Sequence, residues 1–127
     1  MRTIALLAKL PLIAALLGAS VLAQAAGYEA LLGTWVRPDG GYAITIKAAD
    51  ANGKLDAAYG NPKPLPFSKA EASSAGGSIK VFLELTAGGY NGSTYTLTYD
   101  PAKNLLKGVY YQAVQRQNYD VVFIKSR

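Results

Sequence analysis

Nine tyrosines, a single tryptophan and eight acidic side chains are what this sequence offers for chemistry, with no histidine and no cysteine. That absence excludes a Ser-His-Asp triad, a Cys-His pair and the usual zinc sites, each of which needs an imidazole or a thiolate. Paired carboxylates, as in glycosidases, are the catalytic option left. Asp39, Asp50, Asp56, Asp100 and Asp120 fall at turns or strand ends, where aspartate oxygens accept from turn N–H groups. Glu84 differs, because it stands between Leu83 and Leu85 in an alternating stretch. Facing outward it is merely solvated; facing inward it is a charge that demands a partner or ligand. Asp50-Ala51-Asn52-Gly53, with Asp56 nearby, has the composition of a calcium loop. It lacks the sixth-position glycine and the closing bidentate glutamate, so it reads as a turn.

The tyrosines offer another kind of chemistry. Each has a flat apolar face and a hydroxyl, which suits a pocket for a polar-aromatic or sugar-like molecule. Tyrosine is also simply a good half-buried strand residue. Tyr95 and Tyr99 share a face with Leu97, Tyr110 lies between Gly108 and Gln112 on one face, and Tyr119 opens the last strand. Tyr42, Tyr95, Tyr99, Tyr110 and Gln112, with Arg116 at the rim, are therefore the candidate ligand-binding residues.

The elements that must position these groups are strands. Tyr42, Ile44 and Ile46 alternate with Ala43, Thr45 and Lys47, and Leu55, Ala57 and Tyr59 share a face. Ile79, Val81, Leu83 and Leu85 face one way, against Lys80, Phe82 and Glu84. Pro38 to Gly41, Asp50 to Gly53, Ser73 to Gly77, Gly88 to Gly92 and Asp100 to Asn104 are turns, with Asn91-Gly92 the strongest hairpin signal. Asn61 to Pro66, with three prolines, reads as an extended loop or a covered edge. Gly108 in mid-strand predicts a bend, or the close approach of something over it, an aromatic ring for example. About eight short strands with short connections predict an all-β, antiparallel up-and-down barrel.

Arg2 and Lys9 precede the apolar run Leu10 to Leu22, which ends at Ala23-Gln24-Ala25. This is the order of a secretory signal peptide, residues 1–25, cleaved after Ala25. Its apolar core is short for a bilayer span, so no stable membrane insertion is expected after cleavage. Residues 26–127 then form one periplasmic or secreted domain. The leader holds two of the 13 basic residues and no acidic one, leaving 11 basic against eight acidic. The remaining basic residues are scattered, without the cluster that tracks phosphates, so nucleic acid is not an expected partner.

Leu32-Gly33-Thr34-Trp35 resembles the G-x-W opening of the calycin superfamily, which includes lipocalins and avidins. The likeness extends through Gly41 to Ile46 and Asn52 to Leu55 to Ala58-Tyr59, in the register of the avidins. It implies a calycin-like barrel in which Gly33 and Trp35 are structural. The tryptophan would close one end beneath a basic residue from near the last strand, a role open to Arg116, Lys125 or Arg127. Where avidins stack biotin between several tryptophans this chain has one, and Arg37, Asp39 and Gly41 do not match the polar positions. Only Tyr59 does, so biotin is not the expected ligand. The domain is also much shorter than a typical lipocalin, with its wide cup. Tyr90 to Tyr95 and Gly108 to Ala113 are similar to segments of small exported bacterial proteins, which implies no function.

The expected role is thus non-enzymatic binding without cofactor or metal, through a small-molecule site in the barrel mouth. The alternative is a protein-binding module, such as an inhibitor of an exported hydrolase, acting through the loops Asn61 to Pro66 and Ala87 to Gly92. A glycosidase built on Glu84 comes third.

Overall fold

The computed structural model describes residues 27–40, 42–60, 63–86 and 90–126. The leader, Gly41 and Arg127 lie outside the described residues. Eight strands follow in chain order: β1 (Gly33–Val36), β2 (Ala43–Ala49), β3 (Leu55–Gly60), β4 (Pro64–Ala75), β5 (Ser78–Leu85), β6 (Thr94–Asp100), β7 (Leu105–Gln112) and β8 (Gln117–Lys125). Each pairs antiparallel with the next, and β8 returns to β1, so the sheet closes into an up-and-down barrel.

Period-two alternation sorts the side chains. Val81, Leu83 and Leu85 of β5 and Tyr95 and Leu97 of β6 are buried inside, with Val121 and Phe123 of β8. Glu84 belongs to the outward row of β5, with its backbone opposite Lys69 and Thr94. It is therefore a wall residue beside an opposite charge, and the inward alternative falls away.

Three local readings take definite form, and one of them, the Ser73 to Gly77 turn, is corrected. The proline stretch enters β4, with Pro64 opposite Gly60 and Pro66 opposite Ala58. It is tolerated because the β4–β5 ladder begins only at Phe67↔Leu85, so Pro64–Pro66 is paired on one side alone and behaves as a local edge. Ser73, Ser74 and Ala75 stay in the strand as far as Ala75↔Ser78. The turn is only Gly76-Gly77, both at positive φ, as a two-residue hairpin of type I′ requires. At Gly108 the close neighbour is β6 backbone, not a ring: a methyl there would overlap the carbonyl oxygen of Thr96.

The ladder between β3 and β4 is interrupted. Ala58, Tyr59 and Gly60 pair with Pro66, Leu65 and Pro64, and an isolated bridge joins Lys54 to Glu71. Between these the two strands part, leaving a groove on the wall lined by Asp56, Phe67 and Lys69 among others. Below it the Asp50–Gly53 turn is tied to β4 by Ala72 N donating to Gly53 O at 2.6 Å. Asp50 Oδ1 accepts from Asn52 N and Lys54 N, both at 2.9 Å, the work of a turn cap.

Trp35 sits at the closed end with no solvent exposure, below the short 3-10 turn Glu29–Leu31. Its indole Nε1 donates to Leu31 O at 2.8 Å. Of the two basic candidates among the described residues, Arg116 and Lys125, it is Lys125 that covers the ring, Nζ lying 5.1 Å from the ring centroid and donating to Ala30 O at 2.8 Å. Gly33 lets the lysine stem pass: its φ of 132° suits glycine, and a Cβ would press on Lys125 Cε at 3.3 Å. Arg116 lies instead in the exposed β7–β8 turn, at φ 56°.

Two substitutions probe this frame. Gly108→Ala forces β6 and β7 apart and is expected to cost about 1–3 kcal/mol, read as a lower midpoint in urea unfolding. Lys125→Met keeps the stem but strips the ammonium from the indole and from Ala30 O, an expected loss of about 1–2 kcal/mol. Trp35 emission, from the only tryptophan, reports both transitions and is expected to be blue-shifted and shielded from acrylamide in the native protein.

Candidate functional site

Each inward row changes character toward the open end. On β1 it runs Gly33, Trp35, then Arg37; on β7 it runs Leu106, Gly108, Tyr110, Gln112; on β8 it runs upward from Phe123 through Val121 to Tyr119. An eight-stranded barrel is barely wide enough to pack solid, and the lower rows fill it with fully buried Trp35, Phe123, Leu97 and Leu106. Above them Tyr59 and Tyr95, at 2% and 1% exposure, form a floor. Over that floor opens a cavity of about 460 Å³, walled by Tyr42, Tyr90, Tyr110 and Tyr119, with Arg37, Gln112, Gln115 and Asp120.

The tyrosines are ordered against one another. Tyr42 stacks on Tyr59 at 5.1 Å between centroids, and Tyr95 on Tyr110 at 4.7 Å. Tyr119 continues the second stack, 6.2 Å from Tyr110 and 26° from parallel. Tyr59 and Tyr95 bring the two groups to 6.2 Å, and the Tyr42 and Tyr90 hydroxyls lie 3.2 Å apart. These spacings are those of favourable offset-stacked and edge contacts.

Polar groups hold the rim. Gln112 Oε1 accepts from Val114 N at 2.7 Å and Gln115 N at 3.1 Å, so its amide shapes the β7–β8 turn while lining the cavity. Tyr119 Oη lies 2.7 Å from Gln115 Oε1 and 2.8 Å from Gln117 Oε1. Ser93 is fully buried, and its Oγ accepts from Ala113 N at 3.0 Å, tying the segment before β6 to the β7–β8 turn. Arg37 makes a bidentate pair with Asp39, Nε to Oδ1 at 2.9 Å and Nη2 to Oδ2 at 2.6 Å. That pairing holds Asp39 below its ordinary value and Arg37 above its own. Burial pushes the Tyr59 and Tyr110 phenols up, and that of Tyr95 up to about 12. All three are thus neutral hydroxyls at physiological pH.

Of the expected site residues, Tyr42, Tyr95, Tyr110 and Gln112 meet in the mouth. Tyr99 does not: four residues along β6 from Tyr95, it lies about 13 Å deeper. There its ring meets Trp35 edge-on at 6.1 Å and its hydroxyl donates to Asn104 Oδ1 at 3.0 Å. Arg116 is not among the lining residues either. Tyr59, Tyr90, Tyr119, Arg37, Gln115 and Asp120 also line the mouth, beyond the candidate binding residues. Parity was the available signal for two of them, since Arg37 follows Trp35 by two and Tyr119 precedes Val121 by two. The loops of the protein-binding alternative divide otherwise: Pro64–Pro66 are strand, and residues 61–62 and 87–89 lie outside the described residues. Among the described residues no three carboxylates converge as a metal site needs.

No family model, curated protein or solved structure matches this chain.

The raised phenols make a pH prediction. Unfolding returns Tyr59 and Tyr95 to the ordinary tyrosine value of 10.0. Above that pH the unfolded chain binds fewer protons than the native one, so stability falls as pH rises. The loss is expected from pH 10 through about 12, where Tyr95 titrates, and onward for Tyr59. Tyr59→Phe is expected to flatten this alkaline limb, as measured by urea midpoints at stepped pH.

Proposed function

We propose that the chain is an exported, non-enzymatic binding protein of calycin type that holds one small polar-aromatic or sugar-like molecule in its barrel mouth. The observation that carries this reading is the contrast between the two halves of the interior. The base is packed solid around Trp35, and the open end holds a cavity of about 460 Å³ over buried tyrosines. Small-molecule sites span about 300–1,000 Å³ and combine apolar walls with a few placed polar groups. The covered tryptophan at the closed end and the opening G-x-W register support the calycin assignment. The apolar run at 10–22 supports export.

Binding rather than catalysis is favoured by the protonation of the lining groups. Arg37 stays charged at any physiological pH, and the floor phenols, being raised, are poor bases at neutrality. The mouth therefore offers donors and flat faces, with Asp120 as its one carboxylate.

The test is NMR of the aromatic side chains against a panel of phenols, aromatic acids and monosaccharides. Expected are shifts at Tyr42, Tyr95 and Tyr110, with Trp35 and Tyr99 at the base unmoved. Tyr110→Leu, which removes one face of the stack, is expected to weaken the best binder about three- to tenfold. A panel that leaves every mouth tyrosine unshifted refutes the reading.

A further inference from the structure

Resting on that reading of the mouth, we propose that it takes its ligand by a carboxylate, which replaces the carboxylate of Asp39 on the guanidinium of Arg37. The ligand class is a small aryl carboxylic acid carrying a single negative charge.

Arg37 is the only cation among the described residues that line the mouth. It follows directly on the last residue of β1, two positions beyond Trp35, where it lines the mouth. The side chain is 23% exposed, and its partner Asp39 is 63% exposed. Asp39 is not a lining residue of the mouth; it belongs to the exposed turn after β1 and to a shallow outer groove. The chain thus displays on Arg37 the same two-point contact that a free carboxylate makes, with its own carboxylate on the solvent side.

An exposed ion pair between residues two apart adds little to stability, because water screens it and two side chains must be held for it. Releasing Asp39 to solvent costs the fold little. A ligand carboxylate reaching Arg37 from within the cavity makes a charge-assisted, bidentate contact away from bulk water, where such bonds are stronger. Tyr95 and Tyr110 keep their protons and can donate to oxygen, while the Tyr59 hydroxyl is paired with that of Tyr95. The near-parallel ladder of Tyr95, Tyr110 and Tyr119 continues naturally into one more flat ring. The other charged lining residue is Asp120, exposed on β8. By alternation it belongs to the outward row and lines the outer groove that holds Asp39 too, so the cavity presents one guanidinium, which one ligand carboxylate matches.

The experiment compares 2-naphthoate with 2-naphthamide by calorimetry and by aromatic NMR. Expected is binding of the acid about tenfold tighter than the amide, with shifts at the mouth tyrosines. Arg37→Gln is expected to bring the two probes to equal affinity. Asp39→Asn, which removes the internal competitor, is expected to tighten the acid severalfold. Equal affinity of acid and amide for the unaltered protein, with the tyrosines shifting for both, overturns the carboxylate inference and leaves the mouth a binding site. Weaker acid binding in Asp39→Asn overturns the exchange, since Asp39 then positions Arg37 instead of competing for it. Silence of the mouth tyrosines toward both probes and toward the phenol and sugar panel removes the inference and the mouth reading together.

Discussion

Everything in this barrel depends on how its first strand is held. β1 has four residues, and its ladder to β8 consists of Trp35↔Lys125 and Val36↔Ile124, extended by Ser126 N donating to Thr34 O. So short a ladder is a weak way to close a cylinder. The indole of Trp35 makes up the difference: it fills the base, bonds to Leu31 O, and lies beneath a lysine whose ammonium is held by Ala30 O. Side-chain contacts there do what backbone pairing does elsewhere. Because the base is sealed, the interior above it packs outward from a fixed point, and unfilled space remains only at the other end.

The site follows from this asymmetry. Strands that run from a filled base to an open rim give their inward positions different work according to height. Tyr99 and Tyr95 share a strand and a face; one buttresses Trp35 and the other floors the cavity. The phenols near the floor are raised by burial, while the rim keeps the hydrated groups, Asp39 and Asp120. The rows that reach the mouth pass from apolar side chains at the base to polar ones above, phenolic on β7 and β8 and cationic just after β1. They place neutral hydroxyl donors deep and one guanidinium at the lip.

Alternation made the inward faces readable from the residues alone. It placed Leu83 inside and Thr96 outside, and marked Gly108 as a point of close approach. Height was less readable, because it depends on which end is sealed, a property of the closed sheet and not of any one strand. Tyr99 was grouped with Tyr95 for that reason. The identity of the residue over Trp35 was likewise hidden, since Lys125 reaches it through the β8–β1 register, which pairs residues from opposite ends of the chain. The prolines of Asn61 to Pro66 argue against an interior strand but leave loop and edge open, and the overhang of β4 past β5 makes Pro64–Pro66 an edge. Ser93 shares the parity of Tyr95, but its full burial was not legible, since it comes with bonds from Ala113 N and Leu85 N that join distant parts of the chain.

The broken ladder between β3 and β4 has a consequence for how the molecule breathes. β1 to β3 are bounded by two short junctions, the two-pair ladder to β8 and the interrupted one to β4, whereas β4 to β8 are joined by long continuous ladders. These two seams divide the wall into a three-stranded flap and a five-stranded half-shell, and they are where local opening is expected to start. Arg37, Tyr42 and Tyr59 ride on the flap; Tyr95, Tyr110 and Tyr119 ride on the shell. On the proposed function, a molecule seated between them would join the two parts, so that binding would also strengthen the closure of the cylinder.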